Sequence, residues 1–91
     1  VVALGDGVDD ELMLRTRYAL GYAHFNQKAY DKALFNFKMF INKATKNTPN
    51  YADGLLRLAD CYYVSKQYDD AVASYNKVSA LGAEGDYVLL Q

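Results

Sequence analysis

Apolar residues recur along this chain at helical spacing, in two stretches that repeat each other. Tyr30, Ala33, Leu34, Phe37, Phe40, Ile41 and Ala44 keep the i, i+3, i+4, i+7 rule of one helix face. Thirty-eight residues on, Tyr68, Ala71, Val72, Tyr75 and Val78 keep it again. Both stretches set a tyrosine first, alanine three residues later, an aliphatic beside it, and an aromatic four residues after the alanine. They predict helices over about 30–44 and 68–80, the second stopped by Gly82. A further apolar segment precedes each. Over about 9–27, Leu12, Met13, Leu14, Tyr18, Ala19, Leu20, Tyr22, Ala23 and Phe25 wrap more than one face, as in a helix sandwiched between neighbours. Up to about Ser65, Leu55, Leu56, Leu58, Ala59, Tyr62 and Tyr63 form another, with Thr48 as its N-cap and Pro49 in its first turn.

The ends of the chain carry weaker patterns. Val1 to Gly7 holds two glycines and no sustained period, so it reads as a lead-in. Asp6, Asp9, Asp10 and Glu11 then crowd the expected helix start, where its partial positive charge favours them. From Asp86 to Gln91 a further helix begins, with Leu89 and Leu90 lying 34 residues after Leu55 and Leu56. Lys28–Ala29 and Lys66–Gln67 leave room only for tight turns, which makes the helices on either side antiparallel neighbours. A repeat of this length points to stacked helix pairs. The expected fold is therefore all-α, a solenoid of antiparallel helix pairs in one domain. Its parts would be a lead-in at 1–8, unit one over about 9–47, unit two over about 48–83 and a partial third unit at 84–91.

These residues resemble the tetratricopeptide repeat, whose pattern runs W-x2-L-G-x2-Y, then A-x3-F, then P. In unit one, Leu20–Gly21 matches L-G and Ala33 with Phe37 matches A-x3-F, while Arg17 replaces the tryptophan and His24 the tyrosine. In unit two, Leu58–Ala59 stands for L-G, Tyr62 for the tyrosine, Ala71 with Tyr75 for A-x3-F, and Leu55 for the tryptophan. Pro49 falls four residues later than the pattern places it, which accounts for the 38-residue offset against the family's 34 and implies one extra helical turn after Phe37. The resemblance covers about residues 10–83. It implies a right-handed superhelix in which Gly21 and Ala59 sit where paired helices cross, Ala33 and Ala71 lie opposite, and Tyr30, Phe37, Tyr68 and Tyr75 fill the adjoining space.

The resemblance also implies a concave groove for an extended peptide or partner helix. Arg15, Tyr18, Tyr22, Phe25 and Asn26 would line it from unit one, and Asp53, Leu56, Asp60, Tyr63 and Val64 from unit two. Rings beside polar groups suit such a surface, although Phe25 and Tyr63 have a packing role in many such repeats. Relatives that hold chaperone C-terminal carboxylates use lysine and asparagine where this chain has Tyr18, Tyr22 and Arg57, which disfavours that partner. Relatives with longer repeats occur in bacterial envelope-assembly proteins as well as in cytoplasmic scaffolds, so the compartment stays open.

Composition narrows the picture further. Nine tyrosines stand among the 52% hydrophobic residues, and tyrosine is content at half-buried surfaces. The net charge of −1 gives no global reason to expect nucleic acid. Lys28, Lys32, Lys38, Lys43 and Lys46 make one basic stretch, but spread around a helix and its exit they read as a solvated outer face. No apolar run is long enough to span a membrane. His24 and Cys61 are too few for a zinc site and read as packed side chains. Asp6, Asp9, Asp10 and Glu11 lack the ligand spacing of a calcium loop. With one His and one Cys, no nucleophile–base pair or glycine-rich phosphate loop stands out, so neither enzyme nor cofactor is expected. Starting at Val1 and breaking off mid-pattern, the chain reads as cut from something longer. The leading expectation is a non-catalytic module that binds a protein partner in the groove. A structural spacer or self-association segment working through open repeat ends is the alternative, and a regulatory appendage of an enzyme a weaker third.

Overall fold

A computed structural model describes residues 2–83, with side chains described over 10–82. The partial third unit at 84–91 lies outside the described residues. Four helices follow one another: α1 (Val2–Asn26), α2 (Tyr30–Lys43), α3 (Tyr51–Val64) and α4 (Tyr68–Ala83). Helix α1 packs on α2, α2 on α3, and α3 on α4. The fold is an all-helical stack of two antiparallel pairs, as the repeat predicts.

The two pairs are closed by the same turn, used twice. Helix α1 ends in backbone bonds from Lys28 N–H to the Phe25 carbonyl and from Ala29 N–H to the His24 carbonyl, at 3.0 and 2.8 Å. Thirty-eight residues later, Lys66 N–H reaches Tyr63 and Gln67 N–H reaches Tyr62 at the same distances. Lys28 and Lys66 take left-handed φ values of 64° and 66°, the sharp reversal that ends a helix within three residues.

The boundaries depart from the sequence pattern in four places. Helix α1 begins at Val2, so residues 2–8 are helix rather than lead-in, and no acidic residue falls in the first turn. Two glycines weaken a helix by about 1 kcal/mol each without breaking it, as a proline would. Helix α2 ends at Lys43, so the four extra residues do not extend it by a turn. They lengthen the connection 44–50 instead. Thr48 is not an N-cap there: its hydroxyl accepts from Thr45 N–H at 3.0 Å and closes a turn. Asn50, at φ 67°, precedes α3, since a left-handed residue cannot continue a helix backwards. Helix α4 runs through Gly82 to Ala83, so Gly82 lies within the helix and is not its stop.

The core follows the small-and-ring pattern. Ala33, Phe37, Ala59, Cys61 and Ala71 are buried to within 1% of completely, joined by Leu55, Leu58, Phe40 and Ala52. A Cβ built on Gly21 would sit 2.7 Å from the Phe37 ring, so this glycine lets α1 and α2 approach closely. Phe37 in turn meets the rings of Tyr18, Tyr22 and Phe25 at centroid distances of 6.2, 5.4 and 6.5 Å, all edge-on. Tyr68 departs from its expected filling role and is 52% exposed. Its counterpart Tyr30 packs against the core to which α3 contributes, whereas the ring contact of Tyr68 is to the exposed Tyr63 of α3.

Candidate functional site

Helices α1 and α3 each present one polar and aromatic edge, and a single carboxylate joins them. Asp53, in the first turn of α3, accepts hydrogen bonds from the hydroxyls of Tyr18, at 2.6 Å, and Tyr22. The two tyrosines stand four residues apart on α1, so a single carboxylate reaches both. Their rings meet edge-on at 5.1 Å, and Tyr18 also leans on Phe40 at 5.3 Å. One turn further along α3, Arg57 donates to Asp60 at 2.8 Å. The Tyr75 hydroxyl of α4 donates to the other oxygen of Asp60. The Arg57 guanidinium lies 5.8 Å from the Phe25 ring centroid, within cation–π range. Its Nε is buried without a hydrogen-bond partner among the described residues, and an Asp53 carboxylate oxygen lies 3.9 Å from it. One polar chain therefore runs from α1 through α3 to α4 and fixes the relative positions of three helices.

Burial and these carboxylates both act on the phenols. Tyr18 and Tyr22 are held above the ordinary tyrosine range, by burial first and then by their bonds to Asp53 and its charge. Tyr75 is pushed up to about 12 by burial, by its bond to Asp60 and by that charge. Burial also pushes the Cys61 thiol up to about 11, with the Asp60 charge assisting. Such a thiol is protonated at neutral pH and unreactive.

The tyrosine shifts give the fold an alkaline limit. An unfolded tyrosine ionises near pH 10, so the stability held by Tyr75 is complete below about pH 10. It is lost as pH rises from there through about 12. Melting temperatures measured between pH 8 and 11.5 should fall more gently in Tyr75→Phe than in the parent. Near neutrality that variant should also be less stable by about 1.5 kcal/mol, the loss of one hydrogen bond to a charged acceptor. Equal alkaline slopes would mean that the Tyr75–Asp60 contact carries no linkage.

The groove residues expected from the sequence divide into two groups. Tyr18, Tyr22 and Asp60 are half-buried members of the polar chain, and Leu56 is half-buried beside them on α3. Arg15, Asn26 and Tyr63 are exposed. Arg15 pairs with Glu11 on its own helix at 3.3 Å, and the Tyr63 ring meets that of Tyr68 edge-on at 5.5 Å. Next to Arg15 and Tyr18 opens a cleft of about 220 Å³, walled by Leu14, Phe40 and the Thr48–Pro49–Asn50 end of the connection. The displaced proline thus forms one side of the cleft. Arg57, which joins both aspartates, and Gly54, whose Cβ would meet Phe40 at 2.7 Å, were not among the expected site and repeat residues. A glycine inside an otherwise regular helix was the signal for the second.

His24 is half-buried and Cys61 fully buried, as packed side chains would be. Lys28, Lys32, Lys38, Lys43 and Lys46 are all exposed, and Lys43 bridges to Asp10 of α1 at 3.2 Å. Among the described residues, no helix is long and apolar enough to cross a membrane.

The family model described as Tetratricopeptide repeat matches residues 53–81, from the start of α3 through most of α4. The chain carries a tetratricopeptide repeat. The first helix pair, thirty-eight residues earlier, repeats its turn, its buried alanine and its ring contact. No curated protein and no solved structure matches the chain. A tetratricopeptide repeat is in general a protein-interaction fold without catalysis of its own.

Proposed function

We propose that this chain is a non-catalytic module that takes a peptide or a partner helix along the groove of Arg15, Tyr18, Tyr22, Asn26, Leu56, Asp60 and Tyr63. The observation that carries the reading is the carboxylate-bonded edge shared by α1 and α3, where Asp53 holds both tyrosines and Arg57 holds Asp60. Groups already fixed by internal bonds lose little freedom when a ligand lands on them, which favours binding by preorganisation. Tyr18 and Tyr22 supply the rigid floor in this arrangement. Arg15, Asn26 and Tyr63, exposed beside it, supply the adaptable contacts. Arginine and tyrosine are the residue types that most often dominate such contacts.

Peptides selected on the chain from a random display library provide the test. Arg15→Ala combined with Tyr63→Ala should weaken the selected peptides at least about tenfold, the usual loss when an anchoring side chain is truncated. Both residues are exposed, so the melting temperature should stay within a few degrees of the parent. Unchanged affinity in the double variant would remove the groove assignment.

A further inference from the structure

The outer face of α2 carries charge and apolar surface that the repeat does not ask for. From Lys28 to Lys46 the chain holds five lysines and one acidic residue, Asp31. With Ala33, Phe37 and Phe40 turned into the core, Lys32, Phe35, Met39 and Asn42 follow each other in steps of three and four along the opposite side, all exposed. Lys38 and Lys43 flank that stripe and are exposed as well. Its centre is apolar, Phe35 being 54% and Met39 38% exposed. Arg17 of α1 braces the ring from one side. Its guanidinium lies 5.5 Å from the Phe35 centroid and donates to the Asn36 side chain at 3.0 Å. Unit two does without all of this. Where α2 has Lys32, Phe35 and Lys38, α4 has Asp70, Ala73 and Asn76, exposed in the same way. Helix α4 packs on α3 as α2 packs on α1, so the packing of a helix pair does not account for the set.

We infer that the outer face of α2 docks on an anionic phospholipid surface, Lys32, Lys38 and Lys43 meeting the headgroup phosphates while Phe35 and Met39 enter the layer beneath them. A helix face with cations around an apolar centre suits the plane of a membrane interface, where both kinds of group gain at once. Lysine stems reach along the apolar surface and keep their charges among the headgroups. The bridge from Lys43 to Asp10 is exposed at both ends, so giving it up costs little. Nucleic acid fits less well: the lysines would serve, but single strands reward rings that stack on bases, and Met39 has none. The whole chain carries a net charge of −1, so its acidic groups lie elsewhere and orient this one side toward the lipid. The face belongs to α2 and the proposed groove to α1 and α3, so lipid docking stands or falls separately from peptide binding.

Cosedimentation with vesicles of phosphatidylcholine alone, and of equal parts phosphatidylcholine and phosphatidylserine, tests the inference. The 91-residue chain should pellet with the mixed vesicles and stay in solution with the neutral ones. Lys32→Glu combined with Lys38→Glu should weaken that partition at least about tenfold. Lys66→Glu combined with Lys77→Glu makes the same change in net charge on unit two and should weaken it less than about twofold, since screening confines the attraction to the docked face. Phe35→Ser leaves the charge alone and should cost at least about fivefold through lost apolar burial. All five positions are exposed, so circular dichroism should show each variant melting like the parent. A parent that ignores the mixed vesicles would overturn the inference, and so would equal losses in the two double variants. A Phe35→Ser chain that partitions like the parent, with duplex DNA displacing both from the vesicles, would overturn it too and make the face a general polyanion site.

Discussion

Ala33→Glu and Ala71→Glu should each abolish cooperative thermal melting. The two alanines are 0% and 1% exposed, on the inner faces of α2 and α4. A glutamate at either position either buries an unpaired carboxylate or forces the helix pair apart, and each costs several kcal/mol. A domain of this size holds only about 5–15 kcal/mol of stability in total, and small ones lie at the low end. Lys38→Glu is the control. It places the same side chain on the exposed face of α2 and should melt within a few degrees of the parent. Circular dichroism on all three decides the matter. An Ala33→Glu chain that still melts sharply would mean that α2 does not meet α1 along the face described.

The helix pairs were legible because two signals agreed at two places. The alanine–aromatic spacing of Ala33 with Phe37 and of Ala71 with Tyr75 marks a face by period alone, and the thirty-eight-residue offset repeats it. Burial of both alanines and the contact of Gly21 with Phe37 follow directly. The extra residues before Pro49 were misplaced for a physical reason. A helix extension and a longer loop give the same count, and with helix-favouring Lys46 set among the less favourable Thr45, Asn47 and Thr48, propensity does not choose between them. Ala44 decides it by leaving α2 in extended backbone, at φ −77° and ψ 159°, which a pattern of apolar positions does not register.

The candidate site was legible only in part. Tyr18, Tyr22 and Asp60 stood out as polar and aromatic positions on the inner helices. That Asp53 binds both tyrosines at once depends on how α3 is set against α1, a tertiary relation absent from either helix alone. Arg57 shows the same limit. At i, i+4 from Asp53 and i, i+3 before Asp60 it reads as an ordinary surface partner. The structure instead places it over Phe25 with Nε buried, so its packing weighs as much as its charge. Tyr68 errs in the opposite direction, since repeat equivalence gives it Tyr30's packed environment while the structure leaves it 52% exposed.

Gly54 separates local helix preference from packing between units, because the two predict opposite signs. On propensity alone, Gly54→Ala within α3 should stabilise the protein by about 1 kcal/mol. The structure predicts a net loss. The added Cβ would stand 2.7 Å from the Phe40 ring, which is 2% exposed and held by Tyr18, so the ring has little room to move away. Overpacking of this kind costs about 1–3 kcal/mol, enough to cancel the helix gain and exceed it. Gly54→Leu should lose about 3 kcal/mol or more, since its further carbons enter the space between the two units. It should also displace α3 from α1, loosening the Tyr18 and Tyr22 bonds to Asp53 on which the proposed groove depends. Urea denaturation of the three proteins gives the order directly. An alanine variant more stable than the parent would mean that α2 and α3 stand further apart than Phe40 and Gly54 indicate, and the floor of the groove with them.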